Sequence, residues 1–178
     1  MRSSRILARS VEEIEAESAM SDVELTPVRD AHKFDEPALE QYLQTHVEGF
    51  QGPMEIKQFE GGQSNPTFQL ITPSQRYVLR KQPPGELLPS AHQVDREYRV
   101  MDGLWNTEVP VPRMFCLCED ASVIGTKFYV MEMVEGRLFT ETRLPDVSNH
   151  DRRAIYQDLA RVMAKLHSVD PATVGLET

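Results

Sequence analysis

The chain has 178 residues, 40% of them hydrophobic and 26% charged, and its formal net charge at pH 7 is −9. This composition is ordinary for a soluble globular protein, and the length allows one domain with a core or part of a larger one. The negative charge argues against nucleic acid or an anionic membrane as the main partner, because both need a positive surface. No apolar run approaches the length of a membrane span and no targeting signal is evident, so a cytoplasmic location is expected.

Residues 1–31 are predicted to form a disordered tail. They open with a short basic, serine-rich stretch, and the acidic run VEEIEAES follows at once, which does not fit a transit peptide. A helix is predicted next, in FDEPALEQYLQTHV, because Asp35 can cap it and Pro37 suits its first turn. The apolar face of this helix is predicted to consist of Leu39, Leu43 and Val47.

Strand patterns follow, interrupted by one helix. Strands are predicted in MEIKQFE, PTFQLIT and QRYVLRKQ, with a glycine-containing loop between the first two. A helix is predicted in HQVDREYRVMDGLW, because its apolar residues recur at helical spacing. The predicted stripe of this helix is Val94, Tyr98, Met101 and Trp105.

Two more strands and a last helix complete the pattern. The strands are predicted in VPVPRMFCLCED and KFYVMEMVEG, and the helix in PDVSNHDRRAIYQDLARVMAKLHSVDP, where Ser148 and Asp151 can form the cap. Strands in hairpin order with one inserted helix predict an α+β fold with an antiparallel sheet. The predicted apolar stripe of the last helix is Ile155, Leu159, Val162, Met163 and Leu166.

An arginine and a glutamate do not fit a purely structural sheet and helix. Strand alternation puts Val78 and Arg80 on one face, and helical spacing puts Glu97 on the flank of its apolar stripe while Arg96 and Arg99 point away. A carboxylate that faces a core is costly unless it is paired, and Arg80 is the nearest candidate partner. Periodicity alone leaves a second interpretation equally open, in which Glu97 lies at the rim and reaches water.

The loop between the first two strands lies in FEGGQSNPTF, residues 59–68. A Gly-Gly turn between strands is most often only a turn, since glycine accepts positive φ without penalty. Bare amides of a glycine loop can also approach phosphate oxygens closely. With an inward cation on a later strand and an inward carboxylate on the next helix, the arrangement resembles the upper half of a kinase.

The cysteines and histidines do not predict a metal site. Cys116 and Cys118 point to one face of a strand, but no second pair of ligands lies nearby, so two reduced, half-buried thiols are favoured. His167 lacks a following Gly-Asp pair and is interpreted as a helix-end residue. The remaining histidines, which show no ligand spacing, are His32, His46, His92 and His150.

The motifs together resemble a known family over roughly residues 32 to 178. The stretches GGQSNPTF, YVLRKQPPG, LLPSAH, DREYRVM, VPVPRMFCLCED, VIGTKFYVMEMVEGR and HDRRAIY followed by LHSVD resemble the aminoglycoside phosphotransferase (APH) family in their order and spacing. Within it they are most similar to the branch fused to acyl-CoA dehydrogenases in animals and found as separate proteins in bacteria. The resemblance implies a protein-kinase-like fold, with an N-lobe at residues 32–135 and a hinge exit and the start of a truncated helical C-lobe at residues 136–178.

The resemblance also implies an ATP site. Arg80 would lie next to the α- and β-phosphates in place of the usual strand lysine, although Lys81 is a possible alternative, and Glu97 would hold that cation. Ser64 would lie near the β-phosphate in a loop formed by Gly61, Gly62, Ser64 and Asn65. Around the base, the implied positions are Val78 packing over it, Met131 at the back of the pocket, the Glu132 carbonyl and the Val134 amide.

Catalytic residues and metal ligands are not predicted in this chain. In the family, the base and the Mg²⁺ ligands come from an HGD…N loop and a later aspartate, and no such loop follows His167. We therefore expect the ATP-binding half of a small-molecule kinase, inactive as given, whose hydroxyl acceptor the resemblance suggests to be a hydroxyacyl-CoA or related alcohol. The alternatives are a non-catalytic nucleotide-binding or interaction module and, if the ordered motifs are chance, a plain structural domain.

Overall fold

A six-stranded sheet forms the centre of the molecule. The computed structural model describes residues 24–60, 65–85, 88, 91–137, 139 and 141–177. The strands are β1 (Leu25–Thr26), β2 (Glu55–Phe59), β3 (Thr67–Ile71), β4 (Arg76–Lys81), β5 (Met114–Cys118) and β6 (Phe128–Glu132). Their spatial order is β1-β2-β3-β4-β6-β5, and every pair is antiparallel. The predicted α+β class with an antiparallel sheet is therefore confirmed.

A short turn joins β3 to β4 and fixes their register. The amide of Thr72 donates to the carbonyl of Gln75 over 3.1 Å, and the Thr72 hydroxyl donates to the same carbonyl over 2.8 Å. Ile71 is then opposite Arg76, and Thr67 is opposite Arg80. Because side chains alternate along a strand, this register decides which residues of β4 face each side of the sheet.

Helix α1 (Glu36–His46) covers one face of the sheet. It begins as predicted, since the Asp35 side chain accepts from the Ala38 amide at 2.9 Å, and it buries Leu39 and Leu43 completely. This α1 face is the larger apolar core and holds many aromatic rings in edge contacts. Its fully buried strand residues are Phe68, Leu70, Tyr77, Leu79, Phe128 and Val130.

Helix α2 (Val94–Leu104) lies on the other face, inserted between β4 and β5. Val94 is fully buried there against Met114 and Tyr129. The inclusion of Trp105 in the predicted stripe was wrong, because the helix ends at Leu104 and the Trp105 amide turns to the Asp102 carbonyl. Trp105 is consequently 44% exposed, while Leu104 is buried.

Helix α3 (Asn149–His167) begins at Ser148, whose hydroxyl accepts from the Asp151 amide at 3.1 Å as the predicted cap requires. No residue of α3 is buried. An ion pair of 3.1 Å between Lys165 and Glu108 connects the helix to the segment after α2. In the predicted α3 stripe, Leu159, Met163 and Leu166 are between 43% and 51% exposed, and Ile155 and Val162 are partly exposed.

The C-terminal 3₁₀ turn at Pro171–Val174 lies against α2 at Gly103. A Cβ atom at Gly103 would lie 2.6 Å from the Val174 carbonyl oxygen, so only glycine permits this close approach without movement. No helix in the described part of the chain is long and apolar enough to cross a membrane.

Strand β1 falls within residues 1–31, where a tail was predicted. Gln58 of β2 holds this segment: its side-chain oxygen accepts from the Arg29 amide at 3.0 Å, and its side-chain nitrogen lies 2.7 Å from His32 Nδ1. Gln58 is 2% exposed, so these bonds satisfy an otherwise buried amide. Residues 1–23 lie outside the described part of the chain, and the tail and lobe boundaries stay predictions.

Candidate functional site

Arg80 and Glu97 form an ion pair between β4 and α2. The Arg80 Nε donates to Glu97 Oε2 over 2.8 Å, and the Arg80 Nη1 donates to the Thr67 hydroxyl over 3.1 Å. The two charged side chains are 29% and 36% exposed, so the pair is at the edge of a cleft and not sealed in the core. The pairing, which was one of the two interpretations that periodicity left open, is therefore observed, and Glu97 also keeps the access to water that the rim interpretation required.

Glu97 is the centre of a larger set of hydrogen bonds. Its Oε1 accepts from Asn65 Nδ2 over 3.0 Å, and its Oε2 accepts from the Tyr129 hydroxyl over 3.0 Å as well as from Arg80. Burial, and next the negative charge of Glu97, raise the pKa of Tyr129 well above its usual range. The phenol therefore stays protonated and remains a donor to the carboxylate.

Lys81 lies on the opposite face from Arg80. It is 2% exposed, and its ammonium lies 5.5 Å from the centre of the Phe34 ring on the α1 face. Burial lowers the pKa of Lys81. Of the two neighbouring cations that the sequence left open, Arg80 is the one on the face of Glu97.

Three of the residues that were predicted to surround the base lie at or just beyond the end of β6. Met131 is opposite Val78 in the strand pairing, and both are on the α2 face, where Val78 is 6% exposed. Beyond the strand, Val134 is 64% exposed, and its amide has no acceptor among the described residues. Glu132 is held by Arg113, since its amide donates to the Arg113 carbonyl and its carboxylate accepts from the Arg113 amide.

A cavity of about 620 Å³ opens beside the ion pair. Part of its lining comes from the sheet and part from one edge of α2, where Arg96 and Val100 are one helical turn apart. Arg96 was expected to point away, but it borders this cavity together with Glu97. The lining includes Arg80, Arg96, Glu97, Val100, Tyr129 and Met131.

Asn65 and His92 are brought together in a way that spacing did not indicate. The resemblance implied that Asn65 belongs to the nucleotide loop; Asn65 is 2% exposed, and its side chain is bonded to both Glu97 and His92. His92 had been dismissed as a scattered histidine, and its left-handed backbone, φ 59°, was the feature that sequence could not reveal. Gly61, Gly62 and Ser64 lie outside the described residues.

No group of three or more potential metal-ligating side chains occurs among the described residues. Cys116 and Cys118 share the α1 face, as their alternate spacing predicted, but both are buried where half-burial was expected. Burial raises the pKa of Cys116 to about 12. The thiol is therefore protonated at neutral pH and is a poor ligand or nucleophile.

The sheet, the helix inserted between β4 and β5, and the ion pair that joins them define a protein-kinase-like phosphotransferase fold. The family model of the phosphotransferase enzyme family (APH) matches residues 55–178 of the chain. The chain belongs to this family.

Similar proteins support the same assignment. The chain is 46% identical over 168 residues to acyl-CoA dehydrogenase family member 11 of Rattus norvegicus and 44% identical over 156 residues to family member 10 of Mus musculus. A crystal structure described as a "putative aminoglycoside phosphotransferase" from Ralstonia eutropha is 50% identical, with a TM-score of 0.70 over 81% of this chain. The chain spans 21% and 14% of the two dehydrogenase family members and 41% of the crystallised chain. The resemblance to the dehydrogenase-associated branch is thereby confirmed.

Proposed function

We propose that this chain is the ATP-binding half of a phosphotransferase that acts on the hydroxyl group of a small molecule. The Arg80–Glu97 ion pair, on the cleft side of the sheet beside the apolar surface of Met131, carries the proposal. A guanidinium held by a carboxylate presents fixed positive charge to phosphate oxygens, and the apolar surface can receive a flat base.

The described residues fit a nucleotide in two further respects. Arg80 uses Nε and Nη1 within the protein, and Nη2 has no acceptor among the described residues, so it is available to a phosphate oxygen. The Val134 amide is likewise available to the edge of the adenine, and the Glu132 carbonyl is proposed as its neighbouring acceptor. The amides of Gly61, Gly62 and Ser64 are proposed to cover the phosphates. When bound, ATP supplies the transferable phosphoryl group, which these residues hold and orient.

The acceptor is proposed to be a hydroxyacyl-CoA or a related lipid-derived alcohol, because two of the relatives carry acyl-CoA dehydrogenase in their names. We further propose that the general base and the Mg²⁺ ligands belong to a part of the family fold outside the 41% of the crystallised relative that this chain covers. On this proposal the chain acts in the cytoplasm, and by itself it binds ATP without transferring phosphate.

Calorimetric titration with Mg·ATP tests nucleotide binding. Arg80→Met keeps the apolar stem but removes the charge, and we expect it to weaken ATP binding at least tenfold, about 1.4 kcal/mol. Arg99→Met is the matched control, since Arg99 pairs with Glu119 at 3.8 Å and is 62% exposed. Absence of ATP binding by the unaltered chain, or equal affinity in Arg80→Met, would refute the proposal.

An activity assay tests the proposal that the chain alone does not transfer phosphate. The purified chain is incubated with ATP and a 3-hydroxyacyl-CoA, and ADP release is followed by a coupled assay. We expect no release above that of the Arg80→Met variant. ADP release that depends on Arg80 would show that the chain is catalytic as given and would overturn this part of the proposal.

A non-catalytic nucleotide-binding or interaction module is the second candidate, and the exposed α3 stripe favours it. An apolar helix face of this kind is suited to packing against another polypeptide. The two candidates differ when the remaining part of the Ralstonia relative is supplied as a separate polypeptide. Phosphate transfer by the mixture supports the phosphotransferase, whereas binding through α3 without transfer supports the module.

A further inference from the structure

His92 lies immediately before α2 in an unusual backbone conformation. Its φ of 59° is in the left-handed region, which residues other than glycine rarely adopt, although histidine tolerates it better than most. The backbone is anchored in this conformation, because the His92 carbonyl accepts from the Val94 amide at 2.9 Å and from Gln82 Nε2 at 3.0 Å. These bonds tie the start of α2 to the end of β4.

The side chain of His92 continues a chain of hydrogen bonds that reaches Arg80. His92 Nδ1 lies 3.0 Å from Asn65 Oδ1, Asn65 Nδ2 lies 3.0 Å from Glu97 Oε1, and Glu97 Oε2 lies 2.8 Å from Arg80 Nε. An amide oxygen can only accept, so Nδ1 of His92 must carry the proton. A carboxylate can only accept, so the nitrogen of the Asn65 amide must face Glu97.

The Asn65 amide can point in only one of two directions. If it turned over, its oxygen would face the Glu97 carboxylate, and its NH₂ group would face the protonated Nδ1 of His92. The contact with Glu97 would be repulsive, and His92 would have to change tautomer to accept from the NH₂ group; Asn65 is 2% exposed, so water cannot compensate. Glu97 therefore fixes the orientation of the Asn65 amide, and the Nδ1–H of His92 reinforces that orientation by donating to the amide oxygen.

We propose that His92 is a positioning residue for the nucleotide site, acting through Asn65 to hold Glu97 and thereby the Arg80 guanidinium. Its predicted effect on ATP affinity rests on the proposed function, whereas its effect on Asn65 does not. The chain offers a second contact in support: Thr67 accepts from Arg80 and donates to the Asn65 carbonyl at 3.1 Å. The strand residues around Asn65 and the ion pair thus form one connected unit.

A matched pair of substitutions separates the effect of the His92–Asn65 hydrogen bond from the effect of the backbone conformation at position 92. Asparagine places an NH₂ donor at the position of Nδ1 and tolerates positive φ, so His92→Asn preserves the contact to Asn65. Aspartate has the same shape but only acceptors, so His92→Asp faces the Asn65 oxygen with a second acceptor and competes with Glu97 for the Asn65 NH₂ group. In the Asn65→Ala background the two variants at position 92 should behave alike, since the residue through which they act is gone.

Two measurements follow the variants. The first is the ¹⁵N–¹H NMR signal of the Asn65 side-chain amide, assigned by its loss in Asn65→Ala; the second is the Kd for Mg·ATP. We expect His92→Asn to keep the Asn65 signal near its original position and the Kd within about twofold. We expect His92→Asp to move the signal by more than its line width and to weaken ATP binding about tenfold, with the thermal midpoint recorded for each variant.

An unmoved Asn65 signal in His92→Asp overturns the inference. So does an equal loss of the signal and of thermal stability in both variants, because this would indicate only a packing role. An ATP-affinity difference between the two variants that persists in Asn65→Ala also overturns it, since the effect would then be through-space charge. If the signal responds as expected while the unaltered chain binds no ATP, the positioning inference stands and the proposed function fails.

Discussion

Arg80 and Lys81 are neighbours in sequence, but they experience different surroundings. Arg80 forms an ion pair with Glu97 at the edge of a cleft, whereas Lys81 is buried next to the Phe34 ring. A guanidinium has five donors in a fixed plane, so it can bond to Glu97 and Thr67 and keep a donor for a phosphate. A lysine at position 80 would offer a charge without this fixed geometry.

Cys116 illustrates how burial controls reactivity at a single residue. We expect Cys116 to react with iodoacetamide at pH 8 at least a thousandfold more slowly in the folded chain than in urea. The rise of its pKa from 9.0 to about 12 lowers the thiolate fraction by roughly this factor, and burial blocks access in addition. Mass spectrometry of the Cys118→Ser variant, in which Cys116 is the only cysteine, measures both rates.

The urea-denatured sample is the control, since it shows the intrinsic reactivity of the thiol. Similar rates in the folded and unfolded chain would contradict the burial of Cys116 on the α1 face.

Strand and helix periodicity suffice to place Arg80 on one face of its strand and Glu97 on the flank of its helix, but they left the ion pair and a water-exposed Glu97 equally open. The same reasoning cannot find His92, since its bond to Asn65 depends on a left-handed residue and on two segments 27 positions apart. Arg96 was misjudged because side chains on a helix edge can face a groove beside the sheet.

Three contacts attach helix α2 to the neighbouring secondary-structure elements. Val94 packs into the sheet, Glu97 bonds to β4, and Gly103 contacts the carbonyl of Val174. The last contact joins α2 to the C-terminal turn through backbone alone, so it depends on the absence of a side chain.

We expect Gly103→Ala to destabilise the chain or to displace residues 171–176, despite the higher helix propensity of alanine. A methyl group 2.6 Å from a carbonyl oxygen forces backbone to move, which costs about 1–3 kcal/mol and exceeds a propensity gain of about 1 kcal/mol. Urea unfolding gives the stability, and hydrogen exchange of residues 171–176 reports displacement.

Gly136→Ala is the matched control, because a Cβ atom there meets nothing within 4 Å. The close contact at Gly103 would be disproved if both variants had the stability and exchange rates of the unaltered chain.

The long elements were predictable because their caps and apolar spacing are local signals, as the Asp35 and Ser148 caps illustrate. Strand β1 was not, because two residues carry no periodicity and the strand depends on its pairing with β2 and on bonds to the distant Gln58. The prediction for Trp105 was wrong for the opposite reason: its helical spacing continues the apolar stripe, but the helix ends at Leu104.

At the scale of the whole molecule, the described residues form one sheet with an apolar, aromatic-rich side and a second side that is polar at the cleft. Burial of weak acids on both sides couples folding to pH. The groups whose pKa is raised mainly by burial are Tyr42, Tyr77, Tyr98, Cys116 and Tyr129.

We therefore expect the free energy of unfolding to fall as pH rises above about 8.5 to 10, the range in which cysteine and tyrosine ionise in an unfolded chain. There the unfolded state loses protons that the folded state retains, so each group removes about 1.4 kcal/mol per pH unit until its folded pKa is reached. Lys81 acts in the opposite direction, because its lowered pKa makes the unfolded state the one that holds the proton.

Urea unfolding followed by Trp105 fluorescence between pH 7 and pH 11 measures this slope. Cys116→Ala should flatten the first part of the decline, because one of the titrating groups is removed. A stability that stays constant up to pH 11 would show that these acids are not buried as described.

The Thr72–Gln75 turn has a consequence for how the chain can change over evolution. The turn fixes where β4 begins. The number of residues between the turn and the cleft therefore determines whether Arg80 or Lys81 faces Glu97. Deleting one residue between Arg76 and Arg80 would exchange the two faces of the strand beyond that point. Lys81 would then enter the cleft and Arg80 the dry core, so length variation in this strand is constrained more tightly than its composition.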